Sequence, residues 1–288
     1  MGRPARSEIG PAPGALGRAN CVEAIRITAK ETNESWEIPV LHEDEDLLAL
    51  DKPSGLLTSP DRYDPLRPNM MRLLHEAIAR PAPWAARRGL TYLMNAHRLD
   101  FETSGILLLA KNKPALITLA NMFGSRQPPV KRYAALVQGR PVETEFLVDV
   151  KLAQNPLKPG RMKVDQKNGK ASSTRFVVRE QFVNCALVDC FPLTGRTHQI
   201  RVHLAHAHHP IIGDAVYRGA PLWLSSLKAN YHLKPGKEER PLMGRPALHA
   251  EGLELPHPRT NQPVAIHAPW PKDLVVAVRY LRRYSLSA

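Results

Sequence analysis

The sequence has few cysteines, no long apolar run and a deficit of acidic residues. Its three cysteines, Cys21, Cys185 and Cys190, form neither an even disulfide set nor a Cys-x-x-Cys metal-binding pair, so we expect ordinary reduced thiols. No apolar segment approaches the roughly 20 residues that a membrane span needs, and the first residues lack the apolar core of a secretory signal. The sequence therefore predicts a cytoplasmic protein that does not enter a membrane.

The deficit of acidic residues indicates a polyanionic partner. The chain has 27 Asp and Glu against 40 Lys and Arg, a formal net charge of +13. Between Lys151 and Arg201 ten basic residues stand against three acidic ones. Such a run is often only a solvated face, and an anionic membrane is an alternative partner, but no strongly amphipathic helix carries these charges. Nucleic acid is the favoured partner.

The chain of 288 residues, 43% of them hydrophobic, is long enough for one large domain or two modest ones. We predict a folded domain over residues 38–288, preceded by a partly disordered N-terminal extension over residues 1–37. Met1–Asn20 contains three arginines among Pro and Gly residues, which favours disorder, with a transit peptide as the alternative.

Predicted strands outnumber predicted helices and do not alternate with them regularly, so we expect an α+β fold with a mixed, mostly antiparallel sheet rather than a doubly wound one. A proline- and arginine-rich loop is predicted at residues 80–88. The predicted strands are 46–50, 106–110, 133–138, 174–178, 186–191 and 248–255. The predicted helices are 70–79, 114–123, 198–206 and 271–284, the last with Leu274, Val275, Val278 and Leu281 packed on the domain.

The segment Ala96–Lys111 places one acidic residue in a polar turn directly before an apolar strand. Thr103–Gly105 suits a tight bend, which would aim Asp100 into a cleft. A lone aspartate before a strand is more often a structural cap, so Asp100 needs support from the rest of the chain.

That support is a resemblance to the RluA-type pseudouridine synthases. The segment matches their His-Arg-Leu-Asp, two variable residues, Thr-Ser-Gly, hydrophobic run and Ala-Lys signature at every fixed position. Four further segments resemble the family in the same order: Leu50–Leu56, Lys131–Val137, Leu193–His203 and Leu248–Leu253. The resemblance covers about residues 38–270 and implies a pseudouridine synthase fold with an active-site cleft. Many relatives carry an N-terminal S4 RNA-binding domain, for which residues 1–37 leave no room.

The resemblance implies an enzyme that isomerises specific uridines in rRNA or tRNA to pseudouridine, needs no cofactor and acts, we expect, as a monomer. It makes Asp100 the essential carboxylate, acting either as a nucleophile or by removing a ribose proton. It gives Arg201 the role of basic partner, with phosphate binding as the alternative, and Tyr133 that of an aromatic against the base. Flipping of the target base falls to Arg98. Contact with RNA or base is implied for six residues: Arg98, His97, Thr103, Arg196, His198 and Lys131.

Other interpretations of the sequence remain. The histidines His206, His208 and His209 suggest a metal site with Asp214, which we reject because the His-His-Pro that follows the helix breaks the ligand geometry. Asp51 is a second acidic candidate, but Lys52-Pro53 after it indicates a structural turn. His97 is expected to be a satisfied core histidine. Two functions compete with the isomerase: a catalytically silent RNA-binding protein of ribosome assembly, and a base glycosylase or nuclease.

Overall fold

A computed structural model describes residues 24–61, 64, 66–233 and 236–285. The predicted disorder of Met1–Asn20 and the transit-peptide alternative lie outside the described residues. Of the predicted N-terminal extension, the structure describes residues 24–37. The strands are β1 (Ile25–Ala29), β2 (Glu34–Ile38), β3 (Val40–Glu43), β4 (Leu47–Lys52), β5 (Met94–Asn95), β6 (Ser104–Ala110), β7 (Val130–Gln138), β8 (Glu145–Gln154), β9 (Met162–Val164), β10 (Lys170–Gln181), β11 (Cys185–Pro192), β12 (Leu248–Pro256) and β13 (Pro263–His267).

Five α-helices and one short 3₁₀ helix are found in the described residues. They are α1 (Met70–Ala79), α2 (Pro83–Arg87), α3 (Lys113–Gly124), α4 (Gln199–His206), α5 (Lys272–Tyr284) and the 3₁₀ turn Ala215–Tyr217. The side chains of Asn69 and Asn112 cap α1 and α3 by accepting the amides of Arg72 and Ala115, which explains where both helices begin. None of the helices within the described residues is long and apolar enough to cross a membrane.

One large sheet organises the molecule. Its strands follow the order β3-β4-β6-β12-β7-β11-β10-β8-β9, with β13 beside β12 and β5 beside β6. In the described part of the chain every named pair is antiparallel except β6 with β12, which run parallel where Ser104 faces His249 and Gly105 faces Ala250. The predicted mixed, mostly antiparallel α+β fold is confirmed.

Gly105 makes that parallel contact sterically feasible. Its φ is +110°, and a Cβ at this position would overlap the carbonyl oxygen of Ala250. The two strands can therefore approach closely only because residue 105 is glycine. All seven residues of β6 are buried, so the polar turn that precedes it is fixed to the centre of the core.

The apolar core lies on both faces of this sheet. The largest cluster joins β7 and β11 to α4 and to α5, which contributes Leu274, Ala277, Val278 and Leu281. The predicted C-terminal helix is thus confirmed, but Val275 is 45% exposed and was wrongly placed on the packed face. The neighbouring Ala277, one helical turn after Asp273, takes that place in the core.

The hairpin of β1 and β2 lies within the predicted N-terminal extension. Ile25, Ile27 and Ile38 are fully or almost fully buried and pack in one cluster with Leu48 and Trp84. The indole nitrogen of Trp84 also donates to the Arg26 carbonyl at 3.0 Å. Residues 25–38 therefore share the core of the body that follows them.

Three predictions about loops and helix ends are wrong. The proline- and arginine-rich segment contains α2, which begins at Pro83, a favoured residue for a first helical turn. Asp51 is the penultimate residue of β4, so it lies in a strand and not in a turn. His198 precedes α4 as its N-cap with a φ of +52°, outside the helix predicted to include it.

Candidate active site

A cleft of about 270 Å³ opens where the turn before β6 faces the loop and first turn of α4. All the predicted site residues line it: His97, Arg98, Asp100, Thr103, Lys131, Tyr133, Arg196, His198 and Arg201. They come from three chain segments, residues 97–103, 131–133 and 196–201, that the fold brings together. The sheet order places β7, which carries Tyr133, beside β12 and one strand away from β6.

Asp100 lies in a turn that is tied to the body on both sides. The Thr58 hydroxyl bonds the carbonyl and the amide of Leu99 at 3.0 and 3.2 Å, and the Gly55 amide donates to the Phe101 carbonyl at 2.9 Å. The Asp100 side chain is 20% exposed, so it faces the cleft rather than bulk solvent. This anchoring fixes the direction of the carboxylate.

Arg201 is the cation closest to that carboxylate. Its Nη1 lies 3.6 Å from Asp100 Oδ2, while its Nε and Nη2 donate to the two oxygens of Asp214 at 2.6 and 2.8 Å. Burial would lower the pKa of Arg201, but the hydrogen bonds and charge of Asp214, with the charges of Asp100 and Glu102, raise it. The guanidinium is therefore always charged, and its bidentate clamp fixes the edge that faces Asp100.

Lys52 is a fully buried lysine below the turn that carries Asp100. Its Nζ donates to the carbonyl oxygens of Pro53, Leu56 and Phe101 at 2.8, 2.7 and 3.4 Å. Burial lowers the pKa of Lys52 to about 7, with the charge of Asp100 acting in the opposite direction. Because it bonds the residue that follows Asp100, Lys52 holds the turn from beneath.

Tyr133 closes the cleft on the sheet side. It lies in β7 between Cys190 of β11 and Ala250 of β12. Burial, together with the negative charge of Asp100, raises the pKa of its phenol. The hydroxyl therefore stays protonated at neutral pH, and its ring offers an apolar face with a polar tip.

His97 and Lys131 meet on Phe123 at one end of the cleft. The His97 ring stacks on Phe123 with centroids 5.2 Å apart, and its Nε2 accepts the Leu108 amide at 3.1 Å. Burial lowers the pKa of His97 to about 4, so it is a neutral residue that holds the loop to β6. Burial likewise lowers the pKa of Lys131, whose Nζ lies 6.0 Å from the Phe123 ring centroid.

The loop before α4 is fixed by Gln199. Its side-chain oxygen accepts from the Thr194 hydroxyl and from the Arg196 amide, and its nitrogen donates to the Ser173 carbonyl and the Thr174 hydroxyl. Arg196 is exposed and its Nε donates to the Ala171 carbonyl at 3.1 Å. A buried side chain with every polar group satisfied gives this loop one conformation.

The remaining site residues, Arg98, Thr103 and His198, differ in their exposure and in their hydrogen-bond partners. Arg98 is exposed and lines the cleft. Thr103 is 2% exposed, and its hydroxyl lacks a hydrogen-bond partner among the described residues. His198 directs Nε2 to within 3.9 Å of Asp100 Oδ2 and bonds the Tyr217 hydroxyl through Nδ1. Burial lowers the pKa of His198, with Asp100 opposing and Arg201 reinforcing the shift.

Four residues of this site were missed by sequence reasoning: Lys52, Glu102, Asp214 and Tyr217. Lys52 stands in a segment that resembles the family, and Asp214 was considered only as a metal ligand. Asp214 instead pairs with Arg201 and caps the 3₁₀ turn that carries Tyr217. Gly213 before it has a φ of +79°, and a glycine followed by an acid is the one local signal of this turn.

A group with metal-ligand distances occurs elsewhere in the described residues, at Asp44, Asp46 and His257. The Asp44 Oδ1 already accepts two backbone amides, and Asp46 accepts Asn112 and Arg259. These bonds account for the carboxylates as structural groups of the loop before β4.

Comparison with known proteins agrees with this geometry. The sequence model of the family described as RNA pseudouridylate synthase matches residues 46–206. The chain is 35% identical over 271 residues, 90% of this chain and 72% of the relative, to a ribosomal large subunit pseudouridine synthase D of Nitrosomonas europaea. It is 34% identical over 238 residues, 82% of this chain and 94% of the relative, to the dual-specificity RNA pseudouridine synthase RluA of Escherichia coli strain K12.

A solved structure shares the fold. Human RNA pseudouridylate synthase domain containing 4 superposes with a TM-score of 0.62 and 25% identity, covering 84% of this chain and 92% of that one. The family match extends from the start of β4 to the end of α4 and so includes Asp100, Tyr133 and Arg201. The chain therefore belongs to the family of RNA pseudouridine synthases, which are isomerases.

Proposed function

We propose that this protein isomerises specific uridines of rRNA or tRNA to pseudouridine and that Asp100 is its essential catalytic residue. The observation that carries the proposal is the contact between the Asp100 carboxylate and Arg201, at 3.6 Å, in a cleft that Tyr133 also lines. A buried guanidinium clamped by Asp214 cannot turn away, so it fixes the direction of the Asp100 carboxylate.

The reaction is an isomerisation of one nucleotide, so the product has the same atoms as the substrate. The bond from uracil N1 to C1′ breaks, the base turns, a bond from C5 to C1′ forms, and the C5 proton passes to solvent while N1 gains one. Asp100 serves either as the nucleophile at C1′ or as the base that removes a ribose proton. Tyr133 supplies a face on which uracil stacks and a phenol within the cleft.

The target uridine has to leave its stack to reach Asp100. Arg98 is exposed beside that carboxylate and is the residue we assign to hold the flipped base or to fill its place. Lys131, Arg196 and His198 complete the cleft wall, and the basic residues of β8 to β10 extend it toward the phosphate backbone. The names of the relatives favour large-subunit rRNA as the first substrate to test, with tRNA as the second.

The test is tritium release from RNA carrying tritium at uracil C5. Wild-type protein is incubated with 23S rRNA and with tRNA transcripts, beside Asp100→Asn and the control Asp51→Asn, another partly buried aspartate. We expect release by wild type and by Asp51→Asn, none by Asp100→Asn, and nearly unchanged RNA affinity for all three. Loss of RNA binding in Asp100→Asn would make Asp100 a structural residue.

Product analysis separates the competing functions. Released uracil or cut strands would indicate a glycosylase or a nuclease. Tight RNA binding without release from rRNA, tRNA or ribosome-assembly intermediates would favour the catalytically silent RNA-binding protein. Either result would overturn the proposed isomerisation. Action as a monomer in the cytoplasm remains a prediction of the sequence.

A further inference from the structure

The 3₁₀ turn Ala215–Tyr217 joins the cleft to the strand β9. The Met162 amide of β9 donates to the Tyr217 hydroxyl oxygen at 2.9 Å, and Arg161 Nη1 donates to the Val216 carbonyl at 3.4 Å. On its other side the Tyr217 hydroxyl lies 2.8 Å from His198 Nδ1. Tyr217 thus stands between a strand amide and a histidine that faces Asp100.

This arrangement favours one of the two His198 tautomers. The Met162 amide can only donate, so the Tyr217 oxygen accepts there and keeps its own O–H. Of the hydrogen-bond contacts found for that hydroxyl in the described residues, the remaining one is to His198 Nδ1. That contact lets the Tyr217 O–H donate to Nδ1; with this hydrogen bond Nδ1 is bare, and a neutral His198 has its hydrogen on Nε2.

The protonated nitrogen faces the catalytic carboxylate. His198 Nε2 lies 3.9 Å from Asp100 Oδ2, so a small closure on substrate binding would bring them to hydrogen-bond distance. The ring cannot easily rotate, because it packs edge-on against Tyr217 with an interplanar angle of 82°. The backbone of His198 is in the left-handed region at a φ of +52°, a conformation that a non-glycine residue adopts only where its surroundings hold it.

His198 is neutral in this setting. Burial and the positive charge of Arg201 lower its pKa more than Asp100 raises it. A neutral imidazole can present either an N–H or a lone pair to Asp100, and a lone pair beside a carboxylate would repel it. The choice of tautomer therefore has a chemical consequence.

We propose that Tyr217 is a positioning residue that keeps the hydrogen of His198 on Nε2, so that the imidazole donates to the Asp100 carboxylate during the reaction. The effect on catalysis rests on the proposed function of Asp100. The tautomer itself does not, and the two can be measured separately.

The first test is ¹⁵N NMR of histidine-labelled, RNA-free protein, with His198 assigned by loss of its signals in His198→Gln. We expect the wild type to show a bare Nδ1 and a protonated Nε2. Tyr217→Phe removes only the hydroxyl, and we expect its Nδ1 signal to move toward that of a protonated nitrogen. Tyr280→Phe, on α5, is the matched control and should leave the spectrum unchanged.

The second test is single-turnover tritium release at saturating RNA. We expect Tyr217→Phe to lower the rate about tenfold, the effect of one lost hydrogen bond, with unchanged RNA affinity. His198→Gln places an amide N–H near the position of Nε2 without needing a tautomer. In that background Tyr217→Phe should cost no further rate, because both changes act through one contact.

Several outcomes would overturn the proposal. They are an unchanged His198 tautomer in Tyr217→Phe, a wild type that already carries the hydrogen on Nδ1, or a Tyr217→Phe change that lowers the rate as much in the His198→Gln background as in the wild type. Thermal unfolding of each variant excludes general damage as the cause. If the wild type releases no tritium from any RNA, the proposed isomerisation fails, while the tautomer measurement still decides the role of Tyr217.

Discussion

Arg201 has three carboxylates within 4.0 Å, those of Asp214, Asp100 and Glu102. Asp214 neutralises it through two short hydrogen bonds, leaving Asp100 at 3.6 Å and Glu102 at 3.5 Å to share what remains of its field. Burial and the charges of Asp214 and Asp100 raise the pKa of Glu102 above its usual value, although Arg201 opposes the shift. Of these carboxylates, Asp214 is the one that hydrogen-bonds Arg201, and Asp100 is the one that lines the cleft.

Replacing Asp214 should expose how much the clamp stabilises the fold. Asp214→Asn leaves a guanidinium whose side chain is 4% exposed without its charge partner. Breaking a buried pair from one side costs about 3–5 kcal/mol. We expect that loss in the free energy of unfolding measured with urea at neutral pH, together with a fall in single-turnover rate.

Asp273→Asn is the control for that prediction. Asp273 makes the same two-bond contact with Arg245, at 2.7 and 2.9 Å, but its side chain is 39% exposed. A pair in contact with water contributes about 0–1 kcal/mol, so this variant should lose little stability. Equal losses for the two variants would show that burial does not set the cost at Asp214.

At the residue scale, the site residues that belong to a sequence motif could be predicted, whereas the residues that contact them could not. Asp100, Tyr133 and Arg201 each belong to a segment with fixed neighbours, so they could be predicted to share a cleft. Asp214 and Tyr217 act on residues 13 and 19 positions away, and neither partner is implied by local spacing. Such pairs appear only when the chain is folded, because packing brings them together and the sequence pattern does not.

At the scale of elements, the strands β8 to β10 form the basic edge of the sheet. Lys158, Lys167 and Lys170 are exposed there, whereas Lys163 pairs with Asp165 at 3.1 Å. Three exposed ammonium groups that have no such pair among the described residues are suited to phosphate contact. We therefore expect RNA contact at this edge, as the charge pattern predicts.

Changing Lys158, Lys167 and Lys170 together to Ala should weaken RNA binding and reduce its salt dependence. Each lost phosphate contact lowers the slope of log affinity against log salt by about one unit. The measurement is a series of RNA titrations between 50 and 200 mM salt. The control changes Lys113, Lys228 and Lys272, which alters net charge equally. The same slope in both triple variants would remove β8 to β10 from the interface.

The elements that the sequence predicted are those with strong local signals. Helices α1 and α3 follow capping asparagines, and β6 is apolar throughout. Strand β8 was missed although it carries a period-two pattern, with Phe146, Val148, Val150 and Leu152 turned inward between exposed residues. Strand β9 has three residues, too few for any periodic pattern.

At the scale of the whole molecule, the buried His203 and His249 and the half-buried His97 should make stability depend on pH. Burial lowers the pKa of His97, of His203 and of His249 to about 4 each. The hydrogen bonds agree, since His97 accepts an amide and His203 has a bare Nδ1 without a partner in the described residues. Each is neutral in the folded protein and ionises near pH 6.5 when unfolded.

The sign follows from proton binding. Between pH 4 and 6.5 the unfolded chain holds more protons at these histidines than the folded protein, so their contribution to stability falls as pH falls. Asp51 acts in the opposite direction, because burial raises its pKa to about 6 and the folded state keeps its proton longer than the unfolded one. Near pH 5 the unfolded chain therefore binds about two more protons at these four groups than the folded protein does.

A difference of two protons lowers the free energy of unfolding by about 3 kcal/mol for each unit that the pH falls around pH 5. Urea unfolding at pH 5.0, 5.5, 6.0 and 7.0 measures it. The slope should become smaller toward pH 7 as the unfolded histidines lose their protons, and Lys52, whose pKa burial lowers to about 7, leaves a smaller slope of the same sign there. His203→Gln removes one of the titrating groups and should reduce the slope by about one proton, whereas His232→Gln, a histidine in an exposed loop, should not change it. A stability that is flat from pH 7 to 5 would mean that the folded protein admits these protons, and that the three imidazoles are reached by water.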